Sequence, residues 1–226
     1  MAKMSLSTYL RDAASRTGEL QVAGPFVTIS RQYGCYGFSL GMLIMEILND
    51  HALPGFHWRV YNKDILARLA RETHLAQDLL ARQRRSEPRY LVEFFRSLSP
   101  ERIPSGMEIQ ERVASIVRSL SIQGRAIIIG QGGAAATRDL PNGLSVRLEA
   151  PEAWRLEQVM YRSGVSRDAA IEELRRWDDA RAYLRGMYEK HFPHRPSFHI
   201  TYDCSAFSPS QIAQHVVQAM RFRGLI

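Results

Sequence analysis

Phe26-Val27-Thr28-Ile29-Ser30-Arg31-Gln32-Tyr33-Gly34-Cys35-Tyr36-Gly37-Phe38-Ser39-Leu40 is the stretch that decides the fold. Its opening is rich in β-branched and aromatic residues and follows the breaker Gly24-Pro25, which predicts a buried strand. Gly34 and Gly37 then interrupt the chain, after which Leu40, Leu43, Ile44, Ile47 and Leu48 recur at helical spacing as far as Asn49. A strand, a glycine-bearing turn and a helix form the first half of a crossover unit, in which the helix covers the sheet before the chain returns in parallel.

Moving outward, the same alternation continues. Trp58 to Tyr61 predicts a second strand, Arg125 to Ile129 a third and Leu144 to Leu148 a fourth, with Phe198, Ile200 and Tyr202 in a last short one. Helices are expected over 107–122, 154–161 and 167–189, and after Ser208, which can cap the final one; Ser166 can cap the helix beginning at Arg167. A short helix over 6–15 and a mostly helical, arginine-rich stretch from 65 to 98 complete the pattern, with loops at Ser99-Pro100 and Ile103-Pro104-Ser105-Gly106. The expectation is an α/β fold of three layers, a five-stranded parallel sheet with helices on both faces.

Composition bounds the class. The chain has 226 residues, 45% hydrophobic and 23% charged, which excludes disorder, a collagen and a disulfide scaffold and suits a single domain over 1–226. No apolar run approaches the roughly 18 residues of a membrane span, and no secretory leader pattern opens the sequence. With Cys35 and Cys204 as the two cysteines, the expected setting is a reducing cytoplasm. Net charge is +7, and lysine occurs only at Lys3, Lys63 and Lys190, so the basic surface is built from arginine, the side chain suited to bidentate contacts with phosphate.

In a parallel sheet, ligands gather beyond the carboxyl ends of the strands. The turn at Gly34 and Gly37 lies there, where amides and the positive end of a helix can cradle an anion. The literal pattern GxxxxGK[ST] is not present: laid on it, Arg31 takes the first glycine, Tyr36 the second and Gly37 the lysine. Arg181 and Arg185, four apart, share a helix face and repel unless an anion or Asp178 intervenes. His191, His194 and His199 cluster without the carboxylate or cysteine partners of a metal site, and no Gly-x-Ser-x-Gly or HExxH pattern supports hydrolase chemistry.

These residues together resemble a known family. Ile29-Ser30-Arg31-Gln32-Tyr33-Gly34-Cys35-Tyr36-Gly37 resembles the ISRQYGSGG loop of the cytidylate kinase-like family, P-loop relatives of the nucleoside monophosphate kinases. Tyr61 to Leu66 resembles its YDKELI segment, Ile127 to Ala134 its IIVGRGA segment, Arg138 to Asn142 its RDLPN run and Asp178 to Tyr183 its DxARxxY helix. The ordered set spans about residues 25 to 222.

The resemblance implies transfer of the ATP γ-phosphate to CMP or a related small acceptor, with Mg2+, on a P-loop kinase-like fold. It implies a helical acceptor-binding insertion at about 63–123 and a lid at about 162–196. Gly34, Cys35, Tyr36, Gly37 and Ser39 would hold the donor nucleotide, and Arg31, Arg181 and Arg185 would act on the transferring phosphate. Lys63, Asp64, Gln131, Gly132, Arg162 and Asp178 would serve the acceptor side, and no metal ligand from the protein is expected. Nucleotides are the expected partners, with neither a membrane nor nucleic acid. Two departures, Gln131 for an arginine and Tyr36 for a glycine, keep open a nucleotide-binding regulator with weak or no transfer. The basic charge keeps nucleic-acid binding as a further alternative.

Overall fold

The computed structural model describes residues 24–50, 52–66, 104–191 and 198–226, with backbone alone at 104–112, 180 and 183–191. The helix expected over 6–15 and the arginine-rich stretch from 67 to 98 lie outside the described residues.

Five strands, β1 (Phe26–Arg31), β2 (Arg59–Tyr61), β3 (Ala126–Ile129), β4 (Gly143–Glu149) and β5 (Ile200–Asp203), form one parallel sheet in the order β2-β3-β1-β4-β5. β1 is central, with Val27 level with Ile127 on one side and Leu144 on the other. The helices are α1 (Gly37–Asn49), α2 (Pro104–Gln123), α3 (Gly133–Ala136), α4 (Glu152–Ser163), α5 (Arg167–His191) and α6 (Pro209–Phe222).

Strand alternation divides the core. Val27, Ile29, Ile127, Ile129, Leu144 and Val146 face α1 and α6, where Leu40, Ile44, Ile212 and Val216 meet them. Phe26, Ala126 and Ile128 face the other way, against Val113, Val117 and Leu120 of α2 and Ala135 and Ala136 of α3. Ile127, Ile128 and Ile129 are all completely buried although they point to opposite faces, as a strand covered on both sides demands. Each such side chain contributes about 1.5–3 kcal/mol of apolar burial.

A smaller cluster, Leu156, Val159, Ala170 and Leu174, joins α4 to α5, and Tyr33 is the residue of the β1–α1 turn that packs on it. Among the described residues, no helix is long and apolar enough to cross a membrane.

The elements differ from expectation at their ends. α2 begins at Pro104 instead of 107, because proline at a first helical position gives up only an amide that has no partner there. α3, four residues of Gly-Ala-Ala-Ala, was not expected at all. β3 starts at Ala126, since Arg125 lies in the left-handed region with φ +52°. Ser166 and Ser208 cap as expected, Ser208 in a reciprocal box with Gln211.

The chain runs from β1 to the edge at β2, returns through β3 and then passes β1 to reach β4 and β5. Connections therefore diverge around β1, and the crevice at its carboxyl end is the topological switch point where open α/β sheets bind ligands.

Candidate functional site

The turn leaving β1 is built by local bonds. The Gln32 amide donates to the Leu148 carbonyl (2.9 Å), the Gln32 side-chain oxygen accepts from the Ala150 amide (3.0 Å), and the Tyr33 amide donates to Asp178 Oδ1 (2.8 Å). The Cys35 amide reaches the Gln32 carbonyl at 3.3 Å and the Gly37 amide the Cys35 carbonyl at 3.0 Å. Cys35 and Gly37 thus direct their amides into the turn itself. Tyr36 occupies the N-cap position of α1 without a side-chain capping bond, and no acid stands in the first turn. The first-turn amides of Phe38 and Ser39 have no intrahelical acceptor, so this end of α1 offers open donors and a positive dipole end. Gly34 has φ +91° and lies so close to α4 that a Cβ there would stand 2.8 Å from Arg155 Cβ, which only glycine accommodates.

Arg31 folds back over this turn. A Cβ on Gly37 would lie 2.3 Å from Arg31 Cδ, and one on Gly130, at the end of β3, would lie 2.6 Å from Arg31 Nη1. The guanidinium therefore spans from the start of α1 to the β3 turn, and Gly37 is required because the arginine occupies the space of a side chain. Burial, the neighbouring Arg181 and, more weakly, Arg147 lower the Arg31 pKa to about 10. Burial also lowers that of Arg181, with Asp178 opposing the shift. Arg31, Arg147 and Arg181 thus face one another at the carboxyl end of the sheet beside an uncapped helix start. Such a concentration of positive charge is stabilised by an anion.

α4 and α5 bracket the turn. Arg155, 6% exposed, donates to the carbonyls of Ala150 and Tyr33 and pairs with Asp178. Arg162 donates to the Gly34 carbonyl and lies 4.0 Å over the ring of Tyr36, which meets Trp154 edge-on at 5.8 Å. The Tyr36 side chain is thereby held against α4, between Arg162 and Trp154. Trp177 stacks on Tyr33 at 6.2 Å; Arg181 lies 5.5 Å from the Tyr33 ring centre, and Lys63 lies 5.7 Å from that of Trp177. Cations from the turn at 63–66 and from α5 therefore meet on one aromatic platform.

The expected site residues fall into groups. Gly34, Tyr36, Gly37, Ser39 and Arg31 come together at the turn with Arg181; the side chain of Arg185 lies outside the described residues. Asp178 engages Tyr33, Arg155 and, at 3.8 Å, Arg181, so it fastens α5 to the turn. Arg162 braces the β1–α1 turn, with its guanidinium on the Gly34 carbonyl. Lys63 and Asp64 are exposed, on a helical turn at 63–66 capped by Asn62. Gln131 and Gly132 follow Gly130 in a run of left-handed residues, with φ +71°, +56° and +64° at 130, 131 and 132.

Three contributors escaped the sequence reading. Arg147, 4% exposed, is tied to Glu149 (3.1 Å) and Ser30 (3.0 Å), although its alternation in β4 gave no sign of burial. Arg155 showed only helical spacing with Arg162, and Trp177 was one more large residue in a long helix. Cys35 and Cys204, both buried, also adjoin: a hydrogen bond from the Cys204 thiol pulls the Cys35 pKa down and raises that of Cys204.

Among solved structures, an uncharacterized protein from Eubacterium ventriosum ATCC 27560 is similar at 17% identity, covering 87% of this chain and 98% of that one, with a TM-score of 0.59. A shikimate kinase from Acinetobacter baumannii in complex with shikimate is similar at 14% identity, with coverage of 91% and 97% and a TM-score of 0.48. No protein of curated function matches. The sequence model of the cytidylate kinase-like family matches residues 26–206, with β1 at its start and β5 near its end. The chain belongs to the cytidylate kinase-like family.

Proposed function

We propose that the protein is an ATP-dependent nucleoside monophosphate kinase that phosphorylates CMP or a closely related acceptor. The observation that supports this reading most is Arg31 lying over the open amides at the start of α1, with Arg181 brought beside it by α5. Phosphoryl transfer asks a protein chiefly to align two phosphates and to neutralise the charge that develops between them. ATP would supply the phosphoryl group, and Mg2+ would offset the negative charge of its phosphates.

The residues fit such a ligand. Gly37 and Gly130 leave room for the Arg31 side chain over the turn, and the start of α1 has no side-chain cap on its first-turn amides. Among the described residues, no cluster of three His, Cys, Asp or Glu is arranged to hold a metal. Mg2+ would be carried by nucleotide oxygens and water, with the exposed Ser39 hydroxyl as a candidate contact. In this scheme Phe38 and Ser39 amides bind the donor phosphates, and Arg31, from another position of the loop, supplies the positive charge that a lysine gives in GxxxxGK[ST] loops. Arg181, on the helix that closes over the crevice, follows the transferring group and helps exclude water. Lys63 and Gln131 lie toward the acceptor.

A second reading, nucleotide binding for regulation without efficient transfer, draws on Gln131, which gives the acceptor side an amide where an arginine is usual for the family. ADP release measured across CMP, dCMP, UMP and other acceptors tests the choice. Turnover with a pyrimidine monophosphate is expected. Tight ATP binding with no turnover on any acceptor would replace the kinase by the regulator.

A further inference from the structure

Away from the phosphate turn, the α2–α3 face of the sheet holds a cavity of about 240 Å3. It lies over the amino-terminal halves of β1 and β4, at Thr28 and Ser145, and is completed by Thr137 and Arg138 after α3, His199 before β5 and Arg223 after α6. Thr28 and Arg31 are three residues apart on β1, about 10 Å along the strand, so the two sites are separate.

Its chemistry is one-sided. Arg138, Arg223 and His199 line it, and among the described residues no carboxylate does. The Ser145 amide donates to His199 Nδ1 at 2.9 Å, so in the neutral ring the proton sits on Nε2, which remains a donor. The His199 amide returns a bond to the Ser145 carbonyl at 2.9 Å, fixing the ring's position. Arg223 is anchored by a 2.6 Å bond to the Gly143 carbonyl, and its Nη1 stands 3.5 Å from the His199 ring nitrogen. Burial lowers the His199 pKa, and the charges of Arg223 and then Arg138 lower it further.

Thr28 supplies an independent sign. The residue is 2% exposed and lines the cavity, and its hydroxyl has no hydrogen-bond partner. A buried hydroxyl left without a partner costs stability unless something else satisfies it. Phe26, Leu140 and Pro141 give the cavity an apolar wall. The volume lies just below the ~300 Å3 at which small-molecule sites usually begin, so the occupant is compact.

We infer that this cavity is a second ligand site, which takes a small organic oxyanion with its head group on Arg138, Arg223 and His199, a hydrogen bond to Thr28 and its apolar body against Phe26 and Leu140. A phosphate monoester and a carboxylate share that chemistry, and the experiment separates them. The inference does not depend on the kinase reading.

The test uses the full chain carrying Arg31→Met, which disables the phosphate turn. His199 ring resonances, assigned by their loss in His199→Gln, are followed by NMR during titration with phenyl phosphate, benzoate and phenol. A saturable shift with phenyl phosphate or benzoate is expected at millimolar concentration or below, with the stronger of the two identifying the head group and phenol without effect. Adding Arg223→Gln should weaken binding at least tenfold. Thr28→Val, which keeps the shape and removes the hydroxyl, should weaken it several-fold while leaving the melting temperature unchanged or higher. If Arg223→Gln does not fold, Thr28→Val decides. Absence of a saturable His199 response to either anion, equal response to phenol, or unchanged affinity in Thr28→Val would overturn the inference.

Discussion

Arg31 combines burial with two cationic neighbours, and both features oppose its charge. The folded chain holds its pKa at about 10, well below the ordinary arginine value. Below about pH 10 the guanidinium is charged in both states, and the cost of burying it is fully present. As pH rises above about 10, the unfolded chain retains a proton that the folded one has lost, so this group's contribution to stability increases with pH. Arg31→Met should therefore stabilise the chain at pH 7, by about 1–3 kcal/mol in chemical denaturation. The same substitution should weaken ATP or tripolyphosphate binding at least tenfold by calorimetry. Loss of stability together with unchanged anion affinity would make Arg31 a structural residue. Gln131 shows a second local conflict, since a non-glycine side chain at φ +56° is strained. Gln131→Gly should gain about 0.5–1 kcal/mol in the same unfolding measurement, after allowance for the greater freedom of unfolded glycine.

At the scale of elements, α4 and α5 share a core of their own and are fastened to the sheet's turn by Tyr33, Arg155 and Asp178. Removing Asp178 leaves Arg155 buried without its carboxylate. Asp178→Ala should lower stability by about 2–4 kcal/mol and make α5 the first segment cut in limited proteolysis, while the β1–β4 core stays intact. Cleavage at an unchanged rate would mean that the fastening lies elsewhere. The contrast between elements also explains what was legible in sequence. β1 and β3 were readable because strands covered on both faces are rich in apolar residues, β4 because Leu144, Val146 and Leu148 alternate with polar residues, and α1, α4 and α6 because a one-sided helix repeats every three or four positions. α3 was not, because four small residues carry no period. Arg147 and Arg155 resembled surface arginines, since their burial comes from partners distant in sequence, Ser30 and Asp178. The glycine turn was recognisable as an anion cradle; which of its amides bond within the turn was decided by local geometry that composition does not encode.

For the whole molecule, the positive charge has a focus. The net +7 is spread over the chain, but three guanidiniums converge at the carboxyl ends of the strands. Adding ATP should raise the melting temperature, by an amount set by about RT ln(1 + [L]/Kd), and Arg31→Met should abolish most of that rise. Nucleic acid, bound through dispersed surface arginines, would instead show affinity falling steeply with salt and little affected by Arg31→Met.

The order of the strands also bears on how copies of this chain behave when crowded. The rims of the sheet are β2, of three residues, and β5, of four, while the longer β1 and β4 lie inside. A rim so short exposes few unpaired backbone groups for a neighbouring chain to extend. Concentrated samples should accordingly resist fibril growth as long as the sheet is intact, and thioflavin fluorescence should appear only after it has melted.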